Sequence, residues 1–150
     1  MGRVFMPPAD DPFRIAENLL ESVPATTKVR IVDMHAEATS EKNAMGWHLD
    51  GRASIVYGTH THVQTSDDRI LPGGTAYITD VGMCGPFDSV IGMEKETVIK
   101  GFLSQLPRQF EVAHDNVVLQ GIIVDVNDDS GQASEITRFR IPWQATTEPC

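Results

Sequence analysis

The 150-residue sequence predicts an α/β fold, with a mixed sheet whose early strands are parallel and whose C-terminal strands are antiparallel. Two observations carry this. Up to about residue 105, short apolar runs alternate with segments of helical periodicity, the order of βαβ units. After residue 108, alternating apolar and polar segments follow one another with only short polar turns between them, as antiparallel strands do. No internal repeat, low-complexity tract or interdomain linker breaks the chain, and 150 residues suit a single domain.

In chain order, residues 1 to 9 read as a loop, because Pro7-Pro8 fits neither a central strand nor a helix interior. Asp11 then caps a helix with Pro12 at its first position. Phe13, Ala16, Leu19, Leu20 and Val23 form its apolar stripe, and Pro24 ends it. Lys28 to Met34 is a strand whose apolar middle suits a buried parallel sheet. Thr39 or Ser40 is positioned to cap a second helix, Glu41 to about His48, with Glu41 well placed at its positive end. Asp50-Gly51 is a turn, Ala53 to Tyr57 a second strand, residues 64 to 74 a polar loop and Thr75 to Thr79 a third strand. A glycine-rich loop spans Gly82 to Gly92. A helix from about Glu94 to Gln105 follows, with Val98, Ile99, Phe102 and Leu106 on its expected inner face. Arg108 to Ala113, Val117 to Val126 and Ile136 to Ile141 read as antiparallel strands, joined by Asp115-Asn116 and Asp128-Asp129-Ser130-Gly131 turns. The tail from Thr146 to Cys150 reads as frayed.

Composition narrows the function. A net charge of -9 lacks the basic face that a nucleic-acid backbone demands, so DNA binding is not expected. Two cysteines, Cys84 and Cys150, make no disulfide framework, which suits a reducing compartment. No apolar run approaches 18 residues and no leader pattern opens the chain, so the reading is a cytoplasmic protein without a membrane span.

The chemistry centres on Gly58-Thr59-His60-Thr61-His62, which follows the second strand. In an extended segment, residues two apart share a face, so His60 and His62 would aim at one point beyond the strand end. Ligand sites in open α/β sheets lie there. His35 ends the neighbouring strand. Neutral imidazole is the commonest metal ligand, so the three histidines form a candidate cluster. The alternative is three strand-end rings bonded to backbone or water.

Longer stretches carry a resemblance. They are Asp33-Met34-His35-Ala36-Glu37-Ala38-Thr39-Ser40-Glu41-Lys42, Asp50-Gly51-Arg52-Ala53-Ser54, Gly58 to Thr65, Asp68 to Pro72, Gly74 to Met83 and Gly85-Pro86. Together they resemble the YmdB-like family of metallophosphoesterases, a bacterial branch of the calcineurin-like superfamily, over about residues 2 to 141. The resemblance implies a metallophosphoesterase-like αββα sandwich and a binuclear centre of two divalent metal ions (Fe, Mn, Zn or Mg). It implies hydrolysis of small phosphoesters such as cyclic nucleotides, including the 2',3'-cyclic type. It also implies that His35 and His60 hold one metal and His62 the other.

In that family a bridging Asp, further ligands and an Asn-His pair supplying the general acid lie upstream of the motif found here as Gly2-Arg3-Val4-Phe5-Met6-Pro7-Pro8. This sequence starts at that motif and contains no Asn-His dipeptide. The expectation is therefore that residues 1–150 are the C-terminal portion of one metallophosphoesterase domain. The general acid lies outside them, and the lone chain is weakly active or inactive. A half sheet also exposes an edge and an apolar face, so a homo-oligomer or the N-terminal half is the expected partner. The alternative is a non-catalytic, truncated module that binds metal or self-assembles.

Further candidates carry two readings each. Glu37 and Glu41 are orienters of the histidines, or, for Glu41, a solvated helix-start carboxylate. Asp33 shares a face with His35 as a ligand, or is a buried strand Asp bonded to a backbone amide. Thr39, Ser40 and the loop containing Gly82, Met83, Cys84 and Gly85 border a phosphate, or are ordinary caps and turns. Arg52 holds a phosphate or carboxylate bidentately, or makes a structural salt bridge. Asp80 caps its loop. His48 and His114 are peripheral. Cys84 has no adjacent base to make it a nucleophile. Trp47, Phe87 and Trp143 read as core or interface aromatics rather than base-stacking platforms.

Overall fold

Three parallel strands organise the first part of the chain in a computed structural model that describes residues 1–143. They are β1 (Ile31–His35), β2 (Ile55–Thr59) and β4 (Ala76–Ile78); the short β3 (Arg69–Ile70) runs antiparallel to β4. The sheet order is β1-β2-β4-β3. Helix α1 (Pro12–Ser22) precedes β1, and α2 (Thr39–His48) is the crossover that parallel β1 and β2 require. Later in the chain, β5 (Gly85–Pro86), α3 (Lys95–Ser104), β6 (Val117–Val126) and β7 (Ala133–Pro142) follow. Their sheet has the order β5-β6-β7, with β5 antiparallel to β6. The fold is thus mixed α/β, with a mostly parallel first sheet and an antiparallel second one. The chain divides into two compact units, Met1–Gly82 with Ile122–Arg138, and Met83–Gly121 with the residues from Phe139 on. Among the described residues no helix is long and apolar enough to cross a membrane.

Local chemistry explains most of these elements. Asp11 caps α1: its Oδ1 accepts from the amides of Phe13 and Arg14. The stripe packs as the periodicity requires, with Phe13, Ala16 and Leu20 against a buried cluster of Met34, Met45, Leu49, Val56, Leu71 and Tyr77. Leu19, also placed in that stripe, is 61% exposed. The turn after β6 closes on Asn127, whose Oδ1 accepts from the amides of Asp129 and Ser130.

Several expectations are corrected. The N-cap of α2 is Ala38, without a side-chain bond, rather than Thr39 or Ser40. Glu41 is buried, not a solvated helix-start carboxylate. Its carboxylate accepts from the Arg3 and Val4 amides and so anchors the N-terminal loop. The polar loop 64–74 contains β3, and the glycine-rich loop contains β5; two-residue strands leave no periodicity to read. Residues 108–113 form no strand, only an isolated bridge between Met93 and Val112. Helix α3 buries Val98 alone; Ile99, Phe102 and Leu106 of its expected inner face are exposed. Of the aromatics read as core or interface residues, Trp47 and Trp143 are exposed and so not core, and Arg69 lies over the Trp47 ring. The expected frayed tail, with Cys150, lies outside the described residues.

The polar centre of the first unit is an ion pair. Lys42 Nζ donates to Asp80 Oδ2 at 2.8 Å, and both side chains are essentially inaccessible. Asp80 also accepts from the amide and hydroxyl of Thr61 and from the amide of Gly82. Its neighbour in this network, Asp67, accepts from the Thr65 hydroxyl and from the amide and hydroxyl of Thr79. Gly58 is required where β2 passes this cluster, because a Cβ there would lie 1.8 Å from the Thr79 carbonyl oxygen. Burial pushes the carboxyls of Asp67 and Asp80 up, but these donors outweigh it and hold both below the ordinary aspartate value. The Tyr77 phenol, buried beside them, is pushed up to about 12.

Removing one partner of a buried pair leaves an uncompensated charge. Lys42→Ala should therefore lower the free energy of unfolding by about 3–5 kcal/mol in urea denaturation. Carboxyls with depressed folded-state values stabilise the fold above the unfolded aspartate value and lose that contribution as pH falls through the folded one. The urea midpoint should accordingly be flat from about pH 7 to 5 and fall below about pH 4.

Candidate metal centre

The histidine motif begins where β2 ends, at Thr59, directly beside the end of β1 at His35. The strand periodicity that would put His60 and His62 on one face does not extend past that point. Both residues have left-handed backbones, with φ of 107° and 65°. A non-glycine residue in that region costs on the order of 1–3 kcal/mol and persists only where its surroundings dictate it. Here Asp80 grips Thr61 between them, and the Val81 amide bonds the Gly58 carbonyl at 3.0 Å.

His35 and His60 meet edge to face. His35 Nε2 and His60 Nδ1 are 3.0 Å apart, and the ring centroids are 4.8 Å apart. Each ring is held from behind. His60 Nε2 lies 2.8 Å from Glu37 Oε2. His35 Nδ1 lies 3.1 Å from Thr59 Oγ1, which donates its own proton to Asp33 Oδ1 at 2.7 Å.

Proton counting then fixes the tautomers. A carboxylate only accepts, so the Thr59 proton goes to Asp33, and Thr59 must accept from His35 Nδ1–H. By the same rule, His60 Nε2 carries the proton that faces Glu37. In neutral rings the two nitrogens facing each other at 3.0 Å are then both lone pairs. Such a contact is stable only with positive charge in it, either a proton on one ring or a metal ion beside both. An acceptor behind each imidazole, with the free lone pair in front, is how metal-binding histidines are oriented. Two ligands about 2.1 Å from one ion and at right angles are about 3 Å apart. The donor set at this point therefore fits a divalent cation.

The other candidates are placed as follows. His62 is exposed and does not complete a triad. Among the described residues, no group of three or more His, Cys, Asp or Glu side chains is arranged to hold a metal ion. Asp33 is exposed and accepts from a hydroxyl, not from the backbone amide expected of a buried strand Asp. Glu37 stands against His60, whereas Glu41 is committed to the N-terminal loop. Thr39 and Ser40 are exposed at the start of α2. Arg52 precedes β2, at the opposite end of the sheet from His60. It makes the structural salt bridge, with Nη1 3.1 Å from Glu17 Oε1. Gly82 donates its amide to Asp80, and Met83 begins the second unit. Asp80 caps its loop as expected. Its partner Lys42 and the relay residue Thr59 went unassigned. Lys42 carries no spacing signal, but Thr59 stands inside the motif, and the need to fix a ligand's tautomer points to a hydroxyl or carboxylate near it.

Among curated proteins, the chain is 54% identical over 140 residues to a 2',3'-cyclic-nucleotide 2'-phosphodiesterase of Bacillus subtilis, covering 93% of this chain and 53% of that one. It is 42% identical over 132 residues to a putative phosphatase/phosphodiesterase of Mycoplasma pneumoniae, covering 87% and 46%. Its fold matches the crystal structure of a hypothetical protein from Thermus thermophilus, with a TM-score of 0.88 at 45% identity, over 95% of this chain and 55% of that one. A crystal structure of a novel phosphatase from Mycoplasma pneumoniae matches with a TM-score of 0.82 at 41% identity, over 88% and 47%. The chain spans about half the length of these curated relatives. The family model described as YmdB-like protein matches residues 1–139, and with the relatives' identity along nearly the whole chain it makes this sequence a member of the YmdB-like family.

Proposed function

We propose that this chain forms part of a metal-dependent phosphodiesterase or phosphatase that acts on 2',3'-cyclic nucleotides or related small phosphoesters. The observation that carries the metal reading is the 3.0 Å approach of His35 Nε2 and His60 Nδ1, with Thr59 and Glu37 against the other nitrogen of each ring. The activities named for the Bacillus and Mycoplasma relatives support the reaction class. When bound, two divalent ions supply Lewis acidity, an activated water and a clamp on the phosphoryl oxygens.

The chain's own residues do the rest. His35 and His60 hold one ion, and His62 belongs to the second. Glu37 and the Thr59–Asp33 relay keep the ligand lone pairs forward. The Lys42–Asp80–Thr61 network keeps the loop in its strained conformation. The other donors and the general acid come, in this reading, from the part of the longer relatives that has no counterpart in these 150 residues. β1 lies at an edge of its sheet, with Ile31 60% exposed beside an apolar groove of about 400 Å³ along α1. That surface is where the complementary segment would pair.

Three measurements test the proposal. Calorimetric titration with Mn²⁺ should show binding that weakens on acidification, since coordination needs neutral imidazole. His60→Ala should abolish it, and Thr59→Val, which preserves shape but removes the relay, should weaken it about 10–100-fold. Hydrolysis of 2',3'-cyclic AMP should be slow or absent with this chain alone. It should rise when the part of the Bacillus relative that this chain does not match is supplied in trans. Full activity of the lone chain, or unaltered metal affinity in His60→Ala, would overturn the assignment.

A further inference from the structure

A polar cavity of about 160 Å³ lies at the other end of the parallel sheet, lined where the chain enters β1 and β2. Its charged lining residues are Lys28, Arg30 and Arg52, and no Asp or Glu lines it. In a chain with 21 acidic and 12 basic residues, three cations around one small cavity without a carboxylate run against the overall charge. Arg52 already shares Glu17. Among the described residues neither Lys28 nor Arg30 has an ion-pair partner.

The walls are rigid. The Arg30 amide donates to Ser54 Oγ at 3.1 Å, the Arg30 carbonyl accepts from the amides of Ser54 and Ile55, and Arg30 Nε donates to the Thr27 carbonyl. Those contacts fix the backbone and the Nε of Arg30 at the cavity wall. On the far side, Gly131 comes so close to the Lys28 carbonyl that a Cβ would lie 2.2 Å from it. The Ala133 amide bonds the Gly74 carbonyl at 2.8 Å, and Gln132 Nε2 donates to the Gly73 carbonyl. Ser130 and Gln132 add neutral donors to the rim.

We propose that this cavity binds a phosphate group, with Lys28 and Arg30 as its principal ligands. A cavity of this size has room for a tetrahedral dianion. Guanidinium and ammonium groups are the usual phosphate ligands, and Lys28 and Arg30 both line this cavity, whose own lining has no Asp or Glu. The site is separated from His35 and His60 by the length of β1 and β2, on the order of 15 Å. It stands independently of the metal reading, since none of its residues contacts the histidines.

The test is a titration of the full chain with inorganic phosphate, in the presence of chelator and at fixed ionic strength, followed by amide NMR. Saturable shifts of the Gly51, Gly73 and Gly131 amides are expected. Lys28→Gln/Arg30→Gln should weaken binding at least about tenfold, since two charge-assisted contacts are lost. His60→Ala should leave it unchanged. Because Lys28 is exposed, Lys28→Gln alone tests the site if the double variant unfolds, and should weaken binding severalfold. A parallel titration with adenosine 5'-monophosphate separates the sources: equal affinity means that the phosphate group alone is recognised, and tighter inorganic phosphate means that the cavity excludes the ester. Equal shifts with chloride, shifts confined to the histidine end, or full binding by both variants would overturn the proposal.

Discussion

The buried contact between Lys42 and Asp80 is the constraint on which the first unit depends. A carboxylate with no access to water must satisfy several lone pairs, and Asp80 does so with one ammonium, one hydroxyl and two amides drawn from α2, the histidine loop and the segment after β4. Three stretches distant in sequence are thereby tied to one pair of oxygens. Buried ion pairs are weak arguments for stability, since apolar replacements often do as well. What this one supplies is a fixed place for Thr61, and hence for the histidines on either side of it.

The relation between that centre and the histidine pair is hierarchical. Lys42 and Asp80 fix the path of the backbone, the path presents His60 to His35, and Glu37 with Thr59 and Asp33 decides which nitrogen of each ring carries a proton. None of these layers substitutes for another. A ring in the right place with its proton on the wrong nitrogen is not a ligand.

How much of this was legible in the sequence differs by layer. Asp11, Pro12 and the Phe13, Ala16, Leu20 stripe specify α1 locally, so their reading held. The motif around His35 and His60 identified the family, because long runs of specific residues are informative where spacing alone is not. The pairing of Lys42 with Asp80 was not readable: 38 residues separate them, and only the register of β1, β2 and β4 brings them together. Arg52 was ambiguous because an arginine after a turn looks the same whether it meets Glu17 or a phosphate. Helix α3 shows the converse failure. Its stripe is real, but a stripe states only that a face is apolar, and three of its four expected members remain exposed.

The left-handed turns at His60 and His62 bear on how a ligand site of this kind operates. Their conformational freedom is removed when the chain folds, not when a guest arrives. Under the proposed metal reading, capture would involve little rearrangement of the backbone, and selectivity among ions would rest on fit to a preset frame rather than on induced adjustment.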